Sequence, residues 1–141
     1  MRMQGKIGLV TAAGSGMGKA GAIRFAKEGA SVGVVDINPK AVDTVVQEIK
    51  KAGGNAIGIV ADLTKDKESK RIVTETANHF EGLDFVWNHV GYPGPASIEG
   101  IEMKDFELTL DLNLRTILVT TESALSEFRI RGGGSLLLSL I

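Results

Sequence analysis

A glycine-rich turn constrains this chain more than any other feature of its sequence. Residues 9–20 begin as an apolar run, contain glycines at three alternate positions (Gly14, Gly16 and Gly18), and continue into an alanine-rich stretch. Glycine permits a sharp turn, brings bare N–H groups close to a ligand, and lets a helix lie close to the strand before it. The pattern predicts a strand, a tight turn and a helix whose N-terminus can bind a phosphate.

An acidic residue downstream of the turn narrows the choice of ligand. The run Ser31–Asp36 is short and apolar, and it ends in a carboxylate about 20 residues past the turn. An acid at this position of a strand–turn–helix unit holds a ribose 2′-hydroxyl. Three glycines alone are also typical of an ordinary turn. Their combination with Asp36 favours a dinucleotide.

Composition and charge limit the classes of partner. The chain has 141 residues, which is typical of one domain, and its 16 basic and 17 acidic residues nearly balance. This balance gives no electrostatic reason to expect nucleic acid or a membrane surface as a partner. The absence of cysteine excludes thiolate metal sites and fits a reducing compartment, and the two separated histidines predict no metal site. Without a signal-type or membrane-spanning apolar run, the chain is predicted to be soluble and cytoplasmic.

Short apolar runs alternate with longer amphipathic segments, which is the pattern of βαβ units and a parallel sheet. Strands are predicted at residues 6–11, 31–36, 55–61, 83–88 and 134–141. Helices are predicted at residues 17–28, 39–52, 65–80 and 104–130. No repeat or linker interrupts this pattern. We therefore predict one α/β domain over residues 1–141, with a doubly wound parallel sheet of the Rossmann type.

Polar or glycine residues follow four of the predicted strands, at the sheet edge where such folds bind ligands. Besides the glycine turn and Asp36, these residues are Asp62, which is followed by Leu63, and the sequence at positions 88–91, Asn-His-Val-Gly. Because the carboxyl ends of parallel strands meet at one edge, all four groups are expected to lie around one site.

With these residues the chain resembles the N-terminal half of a short-chain dehydrogenase/reductase. The glycine motif of that family, T-G-x-x-x-G-x-G, matches residues 11–18, except that Ala12 replaces the first glycine. The family's N-N-A-G element corresponds to residues 88–91, where His89 replaces the second asparagine and Val90 replaces the alanine. An acid ending the second strand, an Asp-hydrophobic pair after the third, and the helix asparagine (Asn113) follow in the family's order.

The resemblance implies an NAD(P)-dependent oxidoreductase that transfers a hydride between a nicotinamide and a small alcohol or ketone. The residues that it places at the cofactor are Thr11, Ala12, Gly14, Ser15, Gly16, Met17, Gly18, Asp36, Ile37, Asp62, Leu63, Asn88, Val90 and Gly91. Asp62 is expected to accept a hydrogen bond from the adenine amino group. NAD is predicted over NADP, because Asp36 repels a 2′-phosphate and neither Ser15 nor Ile37 supplies a counter-charge.

The resemblance also implies the catalytic residues. Asn113 is expected to hold a water of the proton relay; a surface asparagine is the alternative. The family's Tyr-x-x-x-Lys is absent, since the single tyrosine, Tyr92, has Ala96 four residues later. The last predicted strand leads, in the family, to a catalytic serine. The register of that strand places this serine at Ile141, and a shift of two residues places it at Ser139.

The sequence ends within this fifth strand, so the domain is predicted to be truncated there, and residues 1–141 alone are predicted to be inactive. A complete, non-catalytic dinucleotide-binding module is the alternative. The apolar long helix pairs subunits in the family, which predicts a homo-oligomer for the full-length form. His89 is interpreted as a loop histidine that hydrogen-bonds a nearby backbone group, with a role in proton transfer as the alternative.

Overall fold

Five parallel strands form the central sheet of the computed structural model, which describes residues 1–139. The strands are β1 (Ile7–Val10), β2 (Ser31–Asp36), β3 (Asn55–Val60), β4 (Phe85–Asn88) and β5 (Ser135–Leu138). The helices are α1 (Gly16–Lys27), α2 (Pro39–Lys51), α3 (Asp66–Phe80), α4 (Met103–Leu110) and α5 (Thr116–Arg131). The spatial order of the strands is β3-β2-β1-β4-β5, so the winding direction reverses between β1 and β4. A reversal of this kind opens a crevice beyond the carboxyl ends of the strands.

Side chains that alternate along the strands build a core on each face of the sheet. Val10 packs with residues of α1 and α2 on one face, whereas the neighbouring Leu9 packs with residues of α3 and α5 on the other. Both side chains are fully buried. Helices therefore cover both faces, as expected for a parallel sheet. The predicted α/β, Rossmann-type fold is confirmed, and the sequence places the first four strands within two residues of their bounds.

The predicted helix at 104–130 is wrong as a single α-helix. It is divided by a π-helical segment, Asp111–Arg115, after which the N–H of Thr116 donates to the carbonyl of Asp111. Two polar side chains of this segment are anchored outside the helix. Arg115 forms a two-pronged ion pair with Asp66, at 2.7 and 2.6 Å, and Asn113 binds a loop described below. A hydrophobic repeat does not reveal such an insertion, because it shifts the register by only one residue.

The last strand is shorter in the structure than predicted and has little cover. β5 ends at Leu138; the predicted positions 134 and 139 are not part of the strand, and positions 140 and 141 lie outside the described residues. Its three leucines (Leu136, Leu137 and Leu138) are 40%, 39% and 53% exposed. In the part of the chain that the structure describes, β5 hydrogen-bonds only to β4 and forms an edge of the sheet.

Candidate functional site

The turn after β1 leaves the N-terminus of α1 open. Ser15 is the N-cap residue, with an extended backbone (φ −154°), and its side chain makes no capping hydrogen bond. Ser15, Gly16 and Met17 are all exposed. The first N–H groups of a helix have no partners within the helix, and the helix dipole favours negative charge beside them. This end of α1 can therefore receive an anion.

Two glycines of the turn are required for different reasons. A Cβ atom at Gly18 would lie 2.1 Å from the carbonyl oxygen of Ala12, so only glycine lets α1 pack this closely against the end of β1. Gly16 has a positive φ of 55°, and nothing lies within 4 Å of the place where its Cβ would be. The space above Gly16 is thus open to a ligand.

Asp36 joins the end of β2 to the glycine turn. Its Oδ2 accepts a hydrogen bond from the N–H of Gly14 at 2.9 Å, and its Oδ1 accepts one from the N–H of Asn38 at 3.1 Å. A Cβ at Gly14 would approach the carboxylate to 2.8 Å, which explains the glycine there. No lysine or arginine among the described residues forms an ion pair with Asp36. Its neighbour Ile37 is 67% exposed. Among the described residues, the carboxylate is therefore held by backbone N–H groups and has no cationic side chain as a partner.

A cavity of about 290 Å³ adjoins this carboxylate at the carboxyl edge of the sheet. Its lining residues are Ala12, Asp36, Ile37, Ala61, Asp62, Leu63, Thr64, Val90, Gly91, Leu108 and Leu112. Seven of these residues were predicted at the cofactor from the sequence. The structure adds Ala61 and Thr64, which flank the Asp62–Leu63 pair. It also adds Leu108 and Leu112, which come from α4 and the π segment and form an apolar wall. In the sequence, the only indication that Leu108 and Leu112 lie side by side is their spacing of four residues, which places them on one face of a helix.

Asp62 offers a fixed acceptor at this cavity. Its Oδ1 accepts hydrogen bonds from the hydroxyl and the N–H of Thr64, at 2.6 and 3.1 Å. The side-chain hydrogen bond from Thr64 is the largest cause that lowers the pKa of the Asp62 carboxyl below its usual range. The group therefore stays ionised and can accept a further hydrogen bond from a ligand amino group. The adjacent Leu63 is 7% exposed and belongs mainly to the core below the cavity.

Thr11 ties the turn to the loop after β4. It is fully buried, and its hydroxyl oxygen accepts hydrogen bonds from the N–H groups of His89 and Val90, at 2.9 and 3.0 Å. Thr11 therefore supports the site through residues 88–91 and presents no surface to a ligand. This arrangement explains the position of Val90 and Gly91 at the cavity.

Two polar groups beside this loop lack partners. Asn88 is fully buried; its Oδ1 lies 3.0 Å from the hydroxyl of Thr120, and its Nδ2 has no partner among the described residues. The Nδ1 of His89 is also buried and, within residues 1–139, unpartnered. The backbone hydrogen bond that was expected for the imidazole is therefore not formed at Nδ1. The His89 ring instead lies beside Trp87, with 4.9 Å between the ring centroids.

Asn113 holds the loop that follows Gly91. Its Oδ1 accepts from the N–H of Tyr92 at 3.2 Å, and its Nδ2 donates to the Tyr92 carbonyl at 2.5 Å. This pairing satisfies the amide within a largely apolar helix, where an unsatisfied amide costs about 1–3 kcal/mol. Asn113 is thus half-buried and hydrogen-bonded to the loop through both atoms of its amide group. The relay role of Asn113 stays a prediction.

The hydroxyl of Ser139 is engaged by a tryptophan. Trp87 donates from Nε1 to the Ser139 Oγ at 2.9 Å, and the N–H of Ser139 donates to the carbonyl of Asn88 at 3.1 Å. These two contacts bind Ser139 to β4. The other candidate for the serine position, Ile141, lies outside the described residues.

Two larger cavities lie along β5, away from the glycine turn. Their volumes are about 420 and 520 Å³, and both are bounded by Gly133 and Gly134. Neither contains a residue of the turn, Asp36 or Asp62. They lie on the two sides of the exposed edge strand, one lined by Leu137 and the other by Leu136.

The comparison with known families agrees with the geometry at the turn. The family model described as short chain dehydrogenase matches residues 6–138. This chain belongs to the short-chain dehydrogenase family. Among curated relatives, an uncharacterized oxidoreductase of Thermotoga maritima is 37% identical over 134 residues, which cover 95% of this chain and 53% of that protein.

Solved structures of short-chain dehydrogenases show the same fold. A 7α-hydroxysteroid dehydrogenase complexed with NADH and 7-oxo glycochenodeoxycholic acid matches with a TM-score of 0.93 and 34% identity, over 97% of this chain and 53% of that one. A short-chain dehydrogenase of Burkholderia cenocepacia in complex with NADP matches with a TM-score of 0.87 and 32% identity, over 90% and 52%. The chain thus spans about half the length of the relatives it matches, and corresponds to their N-terminal half.

Two other features are absent from the part of the chain that the structure describes. No three His, Asp or Glu side chains come close enough together there to hold a metal ion. Across residues 1–139, no helix has both the length and the apolar character that crossing a bilayer requires.

Proposed function

We propose that this chain binds NAD, in preference to NADP, as the cofactor-holding half of an oxidoreductase that acts on a small alcohol or ketone. The contact between Gly14 and Asp36 is the observation that carries this proposal, because it brings an open helix N-terminus and a ribose-binding carboxylate to the mouth of one cavity. A dinucleotide requires all three features together.

The residues present fit the parts of the cofactor. The uncapped N–H groups at Ser15, Gly16 and Met17 would hold the diphosphate, and Asp36 would accept from the ribose hydroxyls. The adenine would occupy the cavity of about 290 Å³, where Asp62 accepts from its amino group and Leu112 provides apolar cover. When bound, the nicotinamide supplies the donor or acceptor of the hydride. The chain supplies binding, orientation and a wall that excludes water.

The preference for NAD rests on the charge at Asp36. A 2′-phosphate placed against this carboxylate would bring like charges together, and no described lysine or arginine pairs with the carboxylate to offset them. Solved relatives include a complex with NADH and a complex with NADP, so the fold accommodates either cofactor. We therefore assign the preference for NAD over NADP to the Asp36 side chain and not to the fold.

Substitution of Asp36 tests the cofactor preference. We expect Asp36→Ala to lower the ratio of NAD to NADP affinity about 10- to 100-fold, because the ribose loses a charged hydrogen-bond acceptor and the 2′-phosphate loses a repelling neighbour. Titration calorimetry with both cofactors measures the ratio. Asp43→Ala, an exposed aspartate on α2, is the matched control and should leave it unchanged. Equal or tighter binding of NADP by the unsubstituted protein would contradict the assignment.

A non-catalytic binding module is the second candidate, because residues 1–141 contain no Tyr-x-x-x-Lys. The mass of the protein purified from its source separates the two candidates. A mass near 14.9 kDa supports the module, whereas a mass about twice as large, as the relatives' lengths imply, supports the enzyme.

The helical region after β4 exposes several large apolar side chains. The outer surface of α4, the π segment and α5 exposes Phe106, Leu110, Leu114 and Leu118, which are 42%, 41%, 63% and 69% exposed. Exposed apolar surface of this extent is typical of a protein interface. We propose that the full-length form is a cytoplasmic homo-oligomer that pairs through this surface.

A further inference from the structure

Ala12 has a backbone conformation that alanine rarely adopts. Its φ is +51°, and among residues 1–139 the only other non-glycine residue with positive φ is Glu81. Glu81 is the C-cap of α3, where a left-handed residue is common. Ala12 lies instead within the glycine turn, at a position where a side chain is strained in this conformation.

Contacts on three sides prevent Ala12 from relaxing. The N–H of the preceding Thr11 donates to the carbonyl of Trp87 on β4 at 3.1 Å, and the N–H of the following Ala13 donates to the carbonyl of Val35 on β2 at 2.9 Å. The Ala12 carbonyl abuts α1, because a Cβ at Gly18 would meet it at 2.1 Å. The sheet and the helix together therefore impose the left-handed conformation.

Ala12 lies in the wall of the proposed site. Ala12 is half-buried and lines the cavity of about 290 Å³ together with Asp36 and Gly91. Small residues in such a turn let the backbone approach the diphosphate closely. A methyl group here adds bulk at the wall that the adenosine diphosphate part of a dinucleotide must approach.

We propose that Ala12 limits the affinity of this chain for the adenosine diphosphate part of its dinucleotide. The inference rests on the proposed function. Replacing Ala12 by glycine removes the methyl group from the wall, and the hydrogen bonds of Thr11 and Ala13 keep the turn in its present shape. Glycine also adopts the left-handed conformation without strain.

The test compares the unsubstituted protein with Ala12→Gly and Ala13→Gly. Ala13 is fully buried, has no positive φ and does not line the cavity, so its change to glycine removes a methyl group without relieving strain. Titration calorimetry with NAD and with ADP-ribose gives Kd, and thermal unfolding gives Tm. We expect Ala12→Gly to lower both Kd values about tenfold and to raise Tm by a few degrees. Ala13→Gly should lower Tm and leave both Kd values unchanged.

Failure of the inference about Ala12 and failure of the proposed function give different experimental results. Equal binding by the unsubstituted protein and Ala12→Gly would overturn the inference and leave the proposed function standing. A gain for NAD without a gain for ADP-ribose, or an equal gain in Ala13→Gly, would also overturn it. If neither the unsubstituted protein nor Ala12→Gly binds NAD or NADP while both unfold cooperatively, the proposed function fails, and the inference fails with it. Tighter binding of both NAD and ADP-ribose by Ala12→Gly, without such a gain in Ala13→Gly, supports both.

Discussion

Gly16→Val is expected to abolish dinucleotide binding while the fold persists. The valine side chain would extend into the open space beside the uncapped N-terminus of α1, where the diphosphate is proposed to lie. Hydrogen bonds to a charged group contribute about 1.5–3 kcal/mol each. Loss of two of them therefore weakens binding about 100-fold or more. Titration calorimetry with NADH measures the change.

A second glycine provides a matched control for backbone strain. Gly53 also has a positive φ, +84°, and nothing lies within 4 Å of its Cβ position. It follows α2, far along the chain from the turn, so Gly53→Val introduces the same β-branched residue into a left-handed position outside the site. Both variants should lose comparable stability, at about 1–3 kcal/mol, and only Gly16→Val should lose NADH binding. Unchanged affinity in Gly16→Val would place the phosphates elsewhere.

No hydride transfer is expected from residues 1–141 alone, even with NAD bound. A positioned acid or base contributes about 10²- to 10⁴-fold to such a reaction, and its absence leaves the proton of the alcohol without an acceptor. The amide of Asn113 does not act as an acid or a base near neutral pH, and the hydroxyl of Ser139 is paired with Trp87. Tyr92 has no lysine four residues later.

An absorbance assay of NADH over a panel of alcohols and ketones tests this expectation. The 141-residue protein, verified by mass, is compared with a longer chain that contains Tyr-x-x-x-Lys. Turnover is expected from the longer chain only. Any turnover by the shorter chain would contradict the expectation. Turnover that survives in the double variant Tyr92→Phe and His89→Ala would in addition exclude the two remaining candidates for proton transfer.

The sequence predicts the part of the site that is built from local patterns. The turn at residues 11–18 combines glycine spacing with an apolar run, and both features depend only on neighbouring residues. Asp36 and Asp62 are predicted because the first ends a short strand and the second comes after one, and parallel strands present their carboxyl ends at one edge. The structure places both of these carboxylates at the same cavity.

Features that depend on distant contacts were not predictable in the same way. Leu108 and Leu112 enter the cavity wall only because α4 and the π segment pack across the carboxyl edge of the sheet. Thr11 holds the loop after β4 through hydrogen bonds to residues more than 70 positions later in the sequence, and no local pattern predicts these contacts. The π segment was not predicted, because it involves contacts of Asn113 with a loop and of Arg115 with α3. A helical repeat in the sequence contains no information about such contacts.

The site of dinucleotide binding can be mapped most directly by ¹⁵N-resolved NMR of the 141-residue protein during titration with NAD. The account predicts saturable shifts of the amide signals of Gly14, Gly16 and Gly18, together with those of Asp36 and Asp62. The amides that border the two larger cavities along β5, at residues 133–135, should not move. Shifts confined to those residues, or no shifts at saturating NAD, would contradict the proposal that the glycine turn and the acids beside it hold the cofactor.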